Sequence, residues 1–200
     1  MAYLAKYDNK YFKKKYKKYR QWEVKAGYHI VNMLSLDSIL DMGCGVGSYL
    51  EGSILAGCDD ICEIELNYHI AKRYIVKSIS SHIKYGDVTK KLNLNREFDC
   101  VISFEVAEHI DPLGTDYFIK NLIKYSSKYI LFTAAPKGQP GRGHINLRKR
   151  SFWIKAIEAK GVVYKKDMVK KFREEWKLLG VPYYILRNLI IFKKSISNGK

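Results

Sequence analysis

The sequence predicts an α/β fold, a three-layer sandwich in which a largely parallel sheet carries helices on both faces. Two observations predict it. From Ser38 onward, short apolar runs alternate with stretches of helical period, and such alternation builds parallel sheets from strand–helix–strand units. The first of those runs also ends in a glycine-rich turn, Asp41-Met42-Gly43-Cys44-Gly45-Val46-Gly47, that leads into a helical pattern at Tyr49. A strand, a tight turn and a helix N-terminus leave bare backbone and free N–H groups at the carboxyl edge of a sheet, where ligands of such folds bind.

Taken in order, residues 8–34 place Phe12, Tyr16, Tyr19, Trp22, Ala26, Ile30 and Met33 at steps of three or four, which predicts an N-terminal helix. Gly27 is a candidate break into two helices. Lys13, Lys14, Lys15, Lys17, Lys18 and Arg20 fill the other faces. They read either as the solvated face of a packed helix or as a phosphate-tracking surface on a lid, residues 1–35, above the site. Strand 38–42 then leads to helix 48–56, strand 60–65 to helix 67–78, and strand 82–86 to a loop. Strand 98–103 leads to a short helix after Glu105, then helix 115–125 and strand 128–134. Helix 150–159, a short strand near Val162, helix 166–179 and an apolar strand 186–194 complete the chain. Val169, Phe172, Trp176 and Leu179 share one face of helix 166–179. No repeat or linker interrupts the pattern, so residues 1–200 read as one domain whose core is 36–195.

Composition excludes several classes. A hydrophobic share of 47% with 28% charged residues fits a globular chain with a real core. No stretch approaches the roughly 18 uncharged apolar residues of a membrane span. The N-terminal residues carry no signal-peptide apolar core, so a cytoplasmic location is expected. Cys44, Cys58, Cys62 and Cys100 read as small core residues, and Cys58-x3-Cys62 lacks the second soft pair of a zinc site. The net charge of +16 suits a polyanionic partner such as RNA, but a Lys-, Ile-, Asn- and Tyr-rich coding bias produces the same excess. Both readings stand.

The glycine turn is the first half of a site. Glycines at 43, 45 and 47 permit positive φ and remove the Cβ atoms that would block a ligand. A dinucleotide fingerprint needs its third glycine at 48, where Ser48 stands, which argues against NAD. Strand 60–65 ends in Glu65, 20 residues after Gly45. At that distance one carboxylate can accept both hydroxyls of a ribose, with Glu63 as the rival. A third strand follows and ends in Gly86-Asp87.

The reacting groups fall after the fourth strand. Glu105, Glu108 and His109 are spaced i, i+3, i+4, so one helical turn would put them on a common face. Two carboxylates and an imidazole suit Mg²⁺, Mn²⁺ or Zn²⁺. A glycine-rich loop, 134–146, brings His144 to the same end of the sheet. Two other readings compete: Glu108 and His109 brace the loop by hydrogen bonds, or His109 or His144 acts as a general base. Arg142, Arg148, Lys149 and Arg150 are forked or point-charge donors for phosphate, and Trp153 behind them reads as the buried face of the next helix.

Asp41-x-Gly-x-Gly-x-Gly, the strand ending in Glu65, and Gly86-Asp87, in that order, resemble the donor motifs of class I S-adenosylmethionine-dependent methyltransferases. The resemblance runs from Ser38 to Lys194. It implies a Rossmann-like sheet of seven strands with the last one antiparallel. It favours Glu65 over Glu63 for the ribose and gives Asp87 the adenine amino group. Around S-adenosylmethionine it also sets Asp41, Gly43, Cys44, Gly45 and Gly47, with Leu66, Val88 and Phe104. Glu-x-x-Glu-His with a later loop histidine is similar to enzymes that methylate the terminal ribose 2′-hydroxyl of small RNAs and to ubiquinone-pathway O-methyltransferases. That likeness implies Mg²⁺ or Mn²⁺ on Glu105, Glu108, His109 and His144, with Glu105, His109 and His144 as catalytic groups. The expected activity is methylation of a hydroxyl on RNA ribose, a phenolic small molecule or a glycan. The rival is an inactive protein of this fold that binds nucleic acid, against which the intact donor motifs argue.

Overall fold

A computed structural model describes residues 7–195. Its strands are β1 (Ser38–Met42), β2 (Asp60–Glu65), β3 (Ile83–Tyr85), β4 (Phe98–Phe104), β5 (Ser126–Thr133), β6 (Val162–Tyr164) and β7 (Ile190–Lys194). Its helices are α1 (Asn9–Leu34), α2 (Ser48–Leu55), α3 (Tyr68–Ala71), α4 (Thr115–Tyr125), α5 (Arg150–Glu158), α6 (Lys166–Leu178) and α7 (Tyr183–Asn188). The sheet order is β3-β2-β1-β4-β5-β7-β6. β1 pairs in parallel with both β2 and β4, while β7 runs antiparallel to β5 and β6. This is the expected seven-stranded, mostly parallel sheet with an antiparallel last strand. Strand order reverses between β1 and β4, and that reversal opens a crevice at the carboxyl ends.

Alternation along the strands divides the core into two layers. Ile39, Cys100 and Leu131 face a cluster with Ile30, Leu50, Phe172 and Trp176. Leu40, Val101 and Phe132 face the opposite cluster with Phe118, Leu122 and Trp153. Each large side chain so buried contributes about 1.5–3 kcal/mol of transfer free energy. Trp153 is only 1% exposed, as its sequence position predicts.

α1 is one continuous helix, and Gly27 does not break it. A Cβ on Gly27 would lie 1.9 Å from the Tyr49 carbonyl oxygen, and one on Gly52 would lie 2.0 Å from that of Val24. Reciprocal glycines thus let α1 and α2 touch backbone to backbone, which offsets the roughly 1 kcal/mol that glycine costs inside a helix. Asp8 caps α1 by accepting from the Tyr11 N–H at 2.9 Å.

Three predicted elements differ. Segment 67–78 is a single α-turn, α3, followed by a 3-10 turn at Lys77–Ile79. The hydrogen bonds Arg73 N–H to Ile70 and Tyr74 N–H to Ala71 are already i to i+3 in type, so the α-helical pattern stops there. No helix follows Glu105, which sits at φ 55° and so cannot begin a right-handed one. A turn closed by His109 N–H to the Val106 carbonyl takes its place. Strand 186–194 begins only at Ile190, because Pro182 caps α7, which takes up Leu186. Residues 1–6 of the predicted lid lie outside the described residues. Among the described residues, no helix is long and apolar enough to cross a membrane.

Candidate active site

A cavity of about 830 Å³ opens at the carboxyl edge of β1, β2 and β4. Gly43, Gly45, Glu65, Leu66, Asp87 and Val88 line one side. Phe104, Glu105, Glu108, His109 and His144 line the other. Asp41, Cys44 and Gly47, which were expected at the ligand, lie behind the wall instead. Asp41 is 2% exposed beneath the loop, and Cys44 turns into a cluster with Phe12, Val46 and Ala71. Gly47 faces Glu63: a Cβ there would meet Glu63 Oε1 at 2.5 Å.

The glycine turn is held by the neighbouring strand. Gly43 and Cys44 N–H groups donate to the Ile64 carbonyl at 2.8 and 3.3 Å, and Gly43 and Gly45 take φ of 89° and 62°. Gly45 N–H donates to Glu65 Oε2 at 2.9 Å, and Asn67 N–H donates to Oε1 at 2.8 Å. Each oxygen keeps a lone pair, so the carboxylate is fixed and still able to accept two hydroxyls. Burial raises the Glu65 pKa, while the two backbone donors and Lys15 oppose the rise. Glu63 is fully buried and away from the cavity, and burial and Asp41 push its pKa well up. Asp87 Oδ1 accepts from Thr89 N–H and hydroxyl, while Oδ2 lies 3.6 Å from the exposed Lys90 ammonium and keeps a lone pair for a further donor.

The other side is assembled from distant segments. Ile145 and Asn146 N–H groups donate to the Glu108 carbonyl at 2.9 and 3.0 Å. The buried Asn146 amide donates to the Ala107 carbonyl and the Thr115 hydroxyl. These bonds staple the 134–146 loop to the turn after β4 and set His144 beside Glu108. His109 Nδ1 lies 2.8 Å from the Tyr7 hydroxyl, which donates onward to the Arg142 carbonyl. His144 Nδ1 lies 3.1 Å from the Gln139 carbonyl. With both Nδ1 atoms protonated, as that network assigns them, the two Nε2 lone pairs face inward. Each Nε2 lies 4.0 Å from Glu108 Oε1.

Glu108 is fully buried, and neither carboxylate oxygen has a hydrogen-bond partner among the described residues. Burial, and then the charge of Glu105, push its pKa well up. Burial likewise pulls His109 down to about 4. Ligand atoms of Glu108, His109 and His144 all lie within 4.8 Å of one another, so these three form the metal-capable group. Glu105 falls outside it. The left-handed backbone turns its carboxylate to Asn188 Nδ2 and Gln139 Nε2, each donating at 3.1 Å.

Sequence reasoning missed a stripe of α1. Tyr11, Lys15, Tyr19 and Glu23 line the cavity, and Lys15 Nζ donates to Glu23 Oε1 at 2.8 Å. Their four-residue spacing was the available signal. Lys13, Lys14, Lys17 and Lys18 are exposed, so the solvated-face reading fits them and not Lys15. In the basic loop Arg142, Arg148 and Lys149 are exposed, whereas Arg150 is bound to the Tyr164 hydroxyl and the Leu189 carbonyl. Gln139 and Asn188 carried no signal at all.

No protein-family model matches the chain, and no curated protein matches it. Solved structures do resemble it. The sugar N-methyltransferase KedS8 from Streptoalloteichus sp gives a TM-score of 0.65 at 14% identity, over 92% of this chain and 91% of that one. The plantazolicin methyltransferase BpumL, with a triazolic desmethylPZN analog and SAH, gives 0.64 at 14% identity, over 97% and 93%. The methyltransferase domain of bacterial CtHen1-C gives 0.58 at 13% identity, over 88% and 98%. At such identities the likeness establishes the fold, and that fold is the Rossmann-like one of class I S-adenosylmethionine-dependent methyltransferases.

Proposed function

We propose that this chain is an S-adenosylmethionine-dependent methyltransferase acting on a hydroxyl, with a divalent cation held by Glu108, His109 and His144. The observation that carries the reading is Glu108: a fully buried carboxylate with no hydrogen-bond donor among the described residues, facing two imidazole lone pairs. Such a cluster is unfavourable alone and suits a divalent cation. The Tyr7 hydroxyl and the Gln139 carbonyl hold the outer ring nitrogens, the support that metal-binding histidines need. When bound, the cation is a Lewis acid that lowers the pKa of a coordinated hydroxyl.

The donor side fits an adenosine. Glu65 offers two fixed acceptors to a ribose, Asp87 Oδ2 offers one to an amino group, and Gly43 and Gly45 line the cavity beside them. Transfer from a sulfonium is an in-line displacement, so these residues contribute mainly by position. As a base His109 is poorly suited, since burial holds its pKa near 4. An RNA end is the acceptor class that the surface supports best, through Arg142 and Arg187 at the cavity and exposed lysines on α1.

Two measurements test the reading. S-adenosylhomocysteine should raise the melting temperature of the full chain, and loss of that shift overturns the donor assignment. Labelled methyl transfer to an RNA pool should vanish with a chelator and return with Mn²⁺ or Mg²⁺; full transfer in excess chelator removes the cation from the proposal.

A further inference from the structure

Tyr11, Lys15, Tyr19 and Glu23 recur every four residues and form one stripe of α1 against the cavity. The Lys15 stem lies across the glycine turn, where a Cβ on Gly45 would meet its Cε at 2.6 Å. Its ammonium donates to Glu23 Oε1 at 2.8 Å. Glu23 is 2% exposed, and its Oε2 is buried with no partner among the described residues. Desolvation consumes most of what a buried ion pair contributes to stability. The position of this pair against the glycine turn therefore asks for a role at the site.

We infer that the Lys15–Glu23 pair binds the amino-acid end of the methyl donor, with Lys15 toward its carboxylate and Glu23 toward its ammonium. The inference rests on the methyltransferase reading above and deepens it. An α-amino acid carries both charges on adjacent groups, and a fixed cation–anion pair in a desolvated wall complements both through charge-assisted hydrogen bonds. The nucleoside end needs neither charge, since Glu65 and Asp87 serve it. The Glu23 carboxylate keeps Lys15 protonated against the opposing effect of burial. α1 then makes the site select an intact donor over a nucleoside fragment.

Calorimetry on the full chain with two probes tests this. S-adenosylhomocysteine carries the amino-acid end, and methylthioadenosine keeps the adenosine and sulfur without it. Lys15→Met should weaken S-adenosylhomocysteine by about tenfold or more and leave methylthioadenosine within about twofold. Lys15→Arg should recover part of the loss. Lys15→Met leaves Glu23 buried without its cation, which endangers folding. The double variant Lys15→Met/Glu23→Met removes both charges and should give the same selective loss, with its fold checked by circular dichroism. An unchanged ratio of the two affinities in the folded double variant overturns the inference, as does a wild type that binds both probes equally. A wild type that binds neither probe overturns the methyltransferase reading itself.

Discussion

The two sides of the cavity treat buried charge in opposite ways. On the donor side each Glu65 oxygen accepts one N–H, from Gly45 of the glycine turn and from Asn67, and keeps a lone pair. The acids behind that wall, Asp41 and Glu63, are held toward the neutral form by burial, Asp41 with a pKa pushed up to about 8. On the far side Glu108 faces the lone pairs of His109 and His144 and takes no donor among the described residues. One side is complete and needs a ligand only of the right shape. The other is complete only with an added positive charge.

If that contrast is right, its largest consequence is a separation of two functions. Glu108→Ala should lower methyl transfer by about 100-fold or more, beyond the upper range for disturbing a metal's supporting residues. S-adenosylhomocysteine affinity should stay within about twofold. Kinetics beside calorimetry would check this, and equal loss of both would merge the two sides into one.

The mirror experiment is Glu65→Ala. Loss of hydrogen bonds to a charged group should weaken S-adenosylhomocysteine by about 1.5–3 kcal/mol, roughly 10- to 150-fold. Mn²⁺ binding, read by electron paramagnetic resonance, should not change. Intact donor affinity in a folded variant would return Glu63 to consideration.

The same contrast governs what could be read in advance. The donor side follows the chain locally: turn, strand end and acid lie within short, regular intervals, so Gly43, Gly45, Glu65 and Asp87 were legible. The layers were legible too, because alternation and apolar runs dictate them, whereas the antiparallel β7 came from the family resemblance alone. Glu108, His109 and His144 were singled out by residue type and do come together at the cavity, but by another geometry. A helical turn was expected, whereas the left-handed Glu105 and the Asn146 staple build the site. Glu105 stands apart from that cluster for the same reason, since its partners Asn188 and Gln139 lie far along the chain. Lys15 hid inside a basic run in which its neighbours do face solvent.

A smaller effect concerns the protons behind the donor wall. The folded-state pKa of Asp41 is about 8, far above its ordinary value of 3.8, mainly through burial. The folded form therefore holds a proton that the unfolded chain releases above about pH 4. Stability from this group is fully present below that point and is lost as pH rises toward 8, by at most about 1.4 kcal/mol per pH unit. Thermal melts should show a lower melting temperature at pH 8 than at pH 5. Asp41→Asn should flatten the slope in part, since Glu63 and Glu65 are raised as well. A slope unaltered by the substitution would mean that Asp41 is ionised in the fold.

The smallest effect lies on the outer face of α1, opposite in character to its Lys15 stripe. Lys13 and Lys17 are exposed. Replacing both by Gln should change stability by less than about 0.5 kcal/mol, as for surface sites away from packing. Their role, if the acceptor is RNA, lies in long-range attraction. Affinity for single-stranded RNA should then fall with salt by about 0.7 log units per log unit of salt for each phosphate contact. The double variant should lower that slope by up to about 1.4, two contacts' worth, at unchanged S-adenosylhomocysteine affinity. An identical slope in both proteins would assign these lysines to solvation alone. The RNA reading would then rest on Arg142 and Arg187 at the cavity.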